Sequence, residues 1–97
     1  MSGIEIWRPE SYETELVGRL TRKDGRLVPD EMARRITALL RNWLKPIAET
    51  GREQLLRDPS DGRLWEATHR KSKMHGGPPT LRVISEQAAR EKYGVLI

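Results

Sequence analysis

The two histidines, His69 and His75, are the first candidates for proton transfer, because imidazole is the side chain that gains and loses a proton near neutral pH. His75 as a general base, oriented by Glu66 or Asp61, would form a catalytic pair. The six-residue spacing of the histidines matches no common pattern of metal ligands. We favour a simpler interpretation, in which His69 lies on the surface of a strand and His75 packs in or caps a loop.

A run of cations lies between the two histidines and consists of Arg70, Lys71 and Lys73. Cations in such a run can contact the phosphate groups of a nucleic acid. Surfaces that bind single strands also carry aromatic side chains among the cations, and no Tyr or Trp is interleaved here. The solvated end of a strand is therefore the interpretation that we favour for this run.

The sequence contains no recognisable motif for catalysis or nucleotide binding. It has no cysteine, which excludes disulfides, thiolate catalysis and cysteine-ligated zinc. It also lacks a G-x-S-x-G nucleophile motif, a Walker loop and a dinucleotide-binding fingerprint. Gly76 and Gly77 are too few and too close to prolines to cradle a phosphate, and more simply provide a backbone shape that glycine adopts. We predict a protein that is not an enzyme and uses no cofactor or metal.

The composition is that of one small, polar globular domain. The 97 residues are 36% hydrophobic and 33% charged, and the formal net charge is +4. Because there is no Phe, the three Trp side chains should fill much of a modest core. We predict an N-terminal arm over residues 1–13 and a single domain over residues 14–97. The start of the chain does not resemble a signal peptide, and no apolar stretch is long enough to span a membrane, which predicts a cytoplasmic protein.

Two strands that flank a rigid loop are predicted to position the cationic run. The first strand covers residues 63–71, a cluster of helix and strand breakers covers residues 75–79, and the second strand covers residues 81–84. The residues just before the first strand are ones that favour a tight turn: Asp58, Pro59, Asp61 and Gly62.

The alternation of side chains along the first strand predicts which face it buries. Trp65 and Ala67 should face a helix. Glu66 and Arg70 should then point outward, with Leu64 only partly covered.

A hairpin is predicted near the N-terminus. Asp24 and Gly25 are a strong signal for a tight turn, so residues 15–22 should pair antiparallel with residues 26–28. Gly18 falls in the middle of the first of these strands, which indicates a bulge or a close approach of another backbone segment.

Apolar spacings of three and four residues predict the main helix over residues 30–45, which Pro46 should end. Residues 47–57 suggest a second, poorer helical segment that is broken at Gly51. Ser85 is a suitable N-cap for a short helix over residues 86–93 that ends before a glycine. The predicted fold is α+β: a small antiparallel sheet, made of the N-terminal hairpin and two later strands, packs on one long amphipathic helix, with a short C-terminal helix.

Several blocks of the sequence resemble the immunity protein 27 family of bacterial polymorphic toxin systems. The ordered combination DP-x-DG-x-x-WE followed by MHGGPP is the most specific part of the likeness. The chain departs from the family pattern at Leu64, in the charge of its cationic run, and by one glycine fewer after His75. The matching blocks are TELVGR (residues 14–19), DGRLVPDE (24–31), LLRDPSDGRLWEATH (55–69), and KMHGGPPTLRVIS followed by EQAAREKYG (73–94).

The resemblance implies a cytoplasmic antidote that binds a cognate toxin domain, expected to be encoded next door, and inhibits it without chemistry of its own. The positive net charge favours an acidic partner surface. A small basic nucleic-acid-binding domain is the alternative. The residues expected to form or support the partner-binding surface are Trp65, Glu66, His69, Arg70, Lys71, Lys73, His75, Gly76 and Gly77.

Overall fold

The computed structural model describes residues 8–51, 53–69 and 78–95 of the chain. Within these ranges the chain alternates short strands with two helices. The elements in order are β1 (Glu15–Val17), β2 (Leu20–Lys23), β3 (Arg26–Pro29), α1 (Glu31–Asn42), β4 (Lys45–Thr50), β5 (Glu53–Arg57), β6 (Leu64–His69), β7 (Pro79–Ile84) and α2 (Glu86–Tyr93). Neither helix is long and apolar enough to cross a membrane, in this described part of the chain.

An antiparallel sheet of five strands, in the order β1-β7-β6-β5-β4, forms the centre of the fold. One hydrophobic cluster lies between this sheet and α1, and a second lies between the opposite face and α2. The α+β class is confirmed. The predicted set of strands in the sheet is wrong. Of the segments assigned to the N-terminal hairpin, only β1 joins the five-stranded sheet, and β2 and β3 form a separate two-stranded sheet.

Helix α1 follows the predicted apolar spacing but ends earlier than predicted. Asp30 caps its start, and Ile36 and Leu39 are fully buried against the sheet. The helix ends at Asn42 rather than near Lys45, and Lys45 already belongs to β4. The residue before a proline is sterically biased toward extended backbone, which explains why the strand begins there.

The predicted helix over residues 47–57 is wrong, because β4 and β5 form a hairpin there. Gly51 makes the turn with a φ of +48°, a conformation that glycine adopts without steric cost. Leu55 and Leu56 are both fully buried, yet they belong to different clusters on opposite faces of the sheet. Adjacent residues reach opposite faces in a strand and not in a helix, so burial on both faces favours the strand.

Strand β6 is buried on both faces, which the sequence prediction did not anticipate. Trp65 and Ala67 face the α1 side, as predicted. Leu64 was expected to be only partly covered, but only 3% of its surface is exposed. Glu66 was expected to face outward, but its exposed fraction is 0%. These two expectations are wrong because α2 covers the second face of the sheet. The short helix itself is confirmed over Glu86–Tyr93.

The turn predicted at Asp24 and Gly25 is confirmed, and both residues have the positive φ that a tight hairpin turn requires. The predicted pairing is only partly right, because residues 20–23 pair with residues 26–29 whereas residues 15–17 pair with β7. The predicted close approach at Gly18 is also confirmed. Its N–H donates to the Pro79 carbonyl oxygen at 2.9 Å, and a Cβ at this position would lie 2.7 Å from that oxygen and 3.0 Å from Ala33. Only glycine fits at this junction without displacing the backbone.

Candidate functional site

The turn before β6 is organised around the buried side chain of Asp58. Its Oδ1 accepts hydrogen bonds from the Ser60 N–H at 2.8 Å and the Ser60 hydroxyl at 2.6 Å. The same oxygen accepts from the Trp43 indole N–H at 3.1 Å. Asp58 therefore shapes its own turn and joins that turn to the end of α1. Its Oδ2 is buried and has no hydrogen-bond partner among the residues that the structure describes.

The rest of the turn is also held by local hydrogen bonds. The Gly62 N–H donates to the Asp58 carbonyl oxygen at 2.8 Å, and Gly62 has a φ of +78°. Asp61 accepts from the Arg63 backbone N–H at 3.0 Å and forms an ion pair with its guanidinium at 2.7 Å. Desolvation raises the pKa of Asp61, but the backbone bond and the ion pair with Arg63, with smaller contributions, outweigh it, so the pKa is lowered. The exposed Pro59 lies between these anchors.

Arg63 joins the turn to the N-terminal segment, residues 8–14, which precedes β1. The sequence analysis did not predict this role. Its guanidinium donates to the carbonyl oxygens of Glu13 at 2.6 Å and Glu10 at 3.0 Å. It also lies over the Trp65 ring, 5.1 Å from the ring centre. From the other side, Arg35 binds the Glu13 carboxylate with two hydrogen bonds of 2.7 and 2.9 Å, and this contact lowers the pKa of Glu13. Nothing in the sequence pattern predicts that Arg63 or Arg35 binds the N-terminal segment.

Glu66, in the middle of β6, is the centre of a polar network between the sheet and α2. Its Oε1 accepts from the Arg82 guanidinium at 3.0 and 3.2 Å. Its Oε2 accepts from the Tyr93 hydroxyl at 2.8 Å and lies 2.7 Å from the Lys92 ammonium. Lys92 also contacts Glu53 at 2.6 Å. A fully buried carboxylate with both oxygens satisfied is a strong cross-link between elements.

The electrostatics of this network keep its members in the charge states that hold them together. Burial alone raises the pKa of Glu66, but hydrogen bonds from Lys92, Tyr93 and Arg82 outweigh burial and lower it. Contact with Glu53 and Glu66 raises the pKa of Lys92, while burial together with Glu66 raises that of Tyr93. The sequence contains no local signal for this network, because a glutamate that alternates with Trp65 and Ala67 is also typical of a strand with one solvent-exposed face.

The sequence-based catalytic pair gains no geometric support from the described residues. Glu66 is fully engaged by α2 and Arg82. Asp61 is paired with Arg63 before β6 begins. His69 is exposed at the end of that strand, eight residues after Asp61. His75 lies outside the described residues. Metal-holding groups of three or more acidic or histidine side chains do not occur within residues 8–51, 53–69 and 78–95.

Only part of the predicted partner-binding surface falls in the described chain. Trp65 and Glu66 are fully buried within the sheet. His69 is exposed and pairs with Pro79 across β6 and β7. The chain between these two residues joins the strands at one end of the sheet. The other predicted contact residues lie outside the described residues: Arg70, Lys71, Lys73, His75, Gly76 and Gly77.

An open cleft of about 690 Å³ lies elsewhere on the molecule, between the N-terminal segment and α1. Of the predicted site residues, none of those within the described ranges lines it. The lining side chains are those of Arg8, Glu10, Tyr12, Glu13, Glu31, Met32 and Arg35.

Comparison with known proteins identifies the family. Searches of curated proteins and of solved structures found no match. The family model described as immunity protein 27 matches residues 22–85, which is 64 of the 97 residues and runs from β2 to the cap of α2. The match contains the Asp58 turn, all of β6 and the chain that joins β6 to β7. The chain therefore belongs to the immunity protein 27 family.

Proposed function

We propose that this protein is a cytoplasmic immunity protein that binds a cognate bacterial toxin domain and blocks it without catalysing a reaction. The observation that carries the proposal is the family match over residues 22–85. Membership of an immunity protein family suggests a toxin as the partner. The toxin gene is proposed to lie next to the gene of this protein.

The geometry of the family-like block supports a scaffolding role for its polar residues. Asp58 holds the turn and Trp43, and Glu66 holds α2 to the sheet. Asp61 and Arg63 fix the end of the turn and the N-terminal segment. Side chains with this many internal partners stabilise a rigid framework. A rigid framework that presents exposed loops suits a binding protein, because little conformational entropy is lost on association.

The first experiment is a co-purification. The tagged protein is expressed with the C-terminal domain of the toxin encoded beside it, and the complex is washed in high salt. A stoichiometric, salt-resistant complex, together with rescue of cells from the toxin domain, is the expected result. If only nucleic acid elutes and salt removes it, the protein is instead a small nucleic-acid-binding domain, because phosphate contacts weaken steeply with salt.

The loop between β6 and β7 is our proposed contact surface, as the sequence indicated. Reversing two charges, with Lys71→Glu and Lys73→Glu, should lower the affinity for the toxin domain by about tenfold or more, because unlike charges guide association. Thermal unfolding should be unchanged. Lys45→Glu, which reverses one charge at an exposed position on β4, is the control. Equal binding by the loop variant and the wild type would place the contact surface elsewhere.

A further inference from the structure

The hairpin formed by β2 and β3, residues 20–29, is exposed along nearly its whole length. Every residue of the two strands is exposed except Val28, which is half-buried. Leu20 and Leu27 expose 36% and 49% of their surface, and Tyr12 is the other large apolar side chain counted as exposed in the described chain. Single exposed leucines are ordinary, but a hairpin with no covered face is marginal in water. The hairpin therefore contributes little to either hydrophobic cluster.

Despite this exposure, the base of the hairpin is fixed to the rest of the fold. The Asp30 carboxylate accepts from the N–H of Arg19 at 3.2 Å and from that of Ala33 at 2.7 Å, so one side chain caps α1 and holds the hairpin. The Asp30 N–H donates to the Arg19 carbonyl oxygen at 2.9 Å. The Arg34 guanidinium donates to the Pro29 carbonyl oxygen at 3.1 Å. The hairpin thus projects in a defined direction, at the junction where Gly18 meets Pro79.

The hairpin also carries an excess of positive charge. Residues 20–29 contain three basic side chains and one acidic one, a net charge of +2 out of +4 for the whole chain. Those three cations, Arg22, Lys23 and Arg26, form no ion pair with any described residue. In the register Leu20 pairs with Pro29 and Arg22 pairs with Leu27, so these four side chains share one face. That face combines two leucines with a free cation.

We infer that this face of the β2–β3 hairpin is a second docking surface for the toxin domain, in addition to the segment between β6 and β7, and that it binds a site with an apolar recess bordered by carboxylates. The inference rests on the proposed function and adds the chemistry of the partner. The Arg22 cation on this face matches a carboxylate on the partner, and desolvation of the two leucines stabilises the complex. A second copy of this chain would bring the same net positive charge against the hairpin. A single-stranded nucleic acid is a poorer match, because leucine offers no ring on which bases stack.

Two variants and a control test the docking surface, with the toxin domain recovered by co-purification as the probe. Arg22→Glu should weaken binding by about tenfold, mainly through slower association, and the loss should shrink in high salt. Leu20→Ser combined with Leu27→Ser should weaken binding by a similar factor, about tenfold, mainly through faster dissociation. Lys45→Glu makes the same charge change on β4, an edge strand of the separate five-stranded sheet, and should bind like the wild type.

The outcomes separate this inference from the proposed function. Unchanged thermal unfolding of the variants, with weaker binding, supports the docking surface. If the wild type binds the toxin domain and both hairpin variants bind it equally well, the docking surface is overturned while the proposed function stands. Self-association that the leucine variant abolishes, with toxin affinity unchanged, also overturns it. If the wild type binds no toxin domain, the proposed function fails and the docking surface fails with it.

Discussion

At the scale of single residues, Glu66 is expected to matter more for stability than any other charged side chain of β6. Glu66→Gln removes the charge that three side chains contact, and should lower the free energy of unfolding by about 1–3 kcal/mol. Urea denaturation measures the change. Arg82→Gln is the matched control, because the Arg82 side chain is 58% exposed and its pair should contribute less than about 1 kcal/mol. A larger loss for Arg82→Gln would contradict this assignment.

Asp58 gives a second prediction at the residue scale. Asp58→Ala removes the acceptor used by Ser60 and Trp43, and should lower the free energy of unfolding by about 2 kcal/mol. Asp58→Asn keeps that acceptor and replaces the unpaired Oδ2, so it should cost less than about 1 kcal/mol. Denaturation followed by tryptophan fluorescence distinguishes the two. Equal losses would mean that the negative charge, rather than the acceptor, is required.

At the scale of elements, the junction of β1, β7 and α1 depends on the absence of a side chain at Gly18. Gly18→Ala places a methyl group against the Pro79 carbonyl oxygen and Ala33, and should destabilise the fold by about 1–3 kcal/mol. Gly25→Ala is the control: it meets no atom within 4 Å but occupies a positive φ, so it should cost about 1 kcal/mol. Thermal unfolding of both variants is the measurement, and a harmless Gly18→Ala would refute the close approach.

At the scale of the whole molecule, stability should decline in acid. The pKa values of Glu66 and Glu13 are lowered in the folded state from an ordinary value of 4.5. Their stabilising contribution is complete above that value and is lost as the pH falls through the lower, folded-state pKa. Urea midpoints measured against pH should therefore fall below about pH 4.5. Glu66→Gln should make this decline shallower, and an unchanged acid profile in the variant would contradict the assignment.

An alkaline decline should accompany the acid one. The pKa of Lys92 is raised from an ordinary value of 10.5, so its contribution is complete below that value and is lost as the pH rises through the higher, folded-state pKa. The pKa of Tyr93 is also raised, so its stabilising contribution is likewise lost as the pH rises. Replacing Lys92 by Met should flatten the alkaline decline and leave most of the acid decline from Glu13 in place.

The candidate site was predictable in its turns and less so in its contacts. Asp58, Asp61 and Gly62 were assigned to a turn because their local chemistry favours one, and the structure places all three there. The outward orientation of Glu66 was wrong, because its partners Arg82 and Tyr93 lie 16 and 27 residues away. No local pattern shows which distant side chains will cover a strand.

The sequence by itself determined the elements whose signals are local. The spacing of Ile36 and Leu39 made α1 a helix, Ser85 began α2, and Asp24 with Gly25 made a hairpin turn, since each depends on residues only a few positions apart. Only the tertiary structure decided that β4 and β5 are strands, that the β2–β3 hairpin stands apart, and that Glu66 is buried. Each of these depends on which segments meet across the sheet, and long-range contacts override local propensity in short elements.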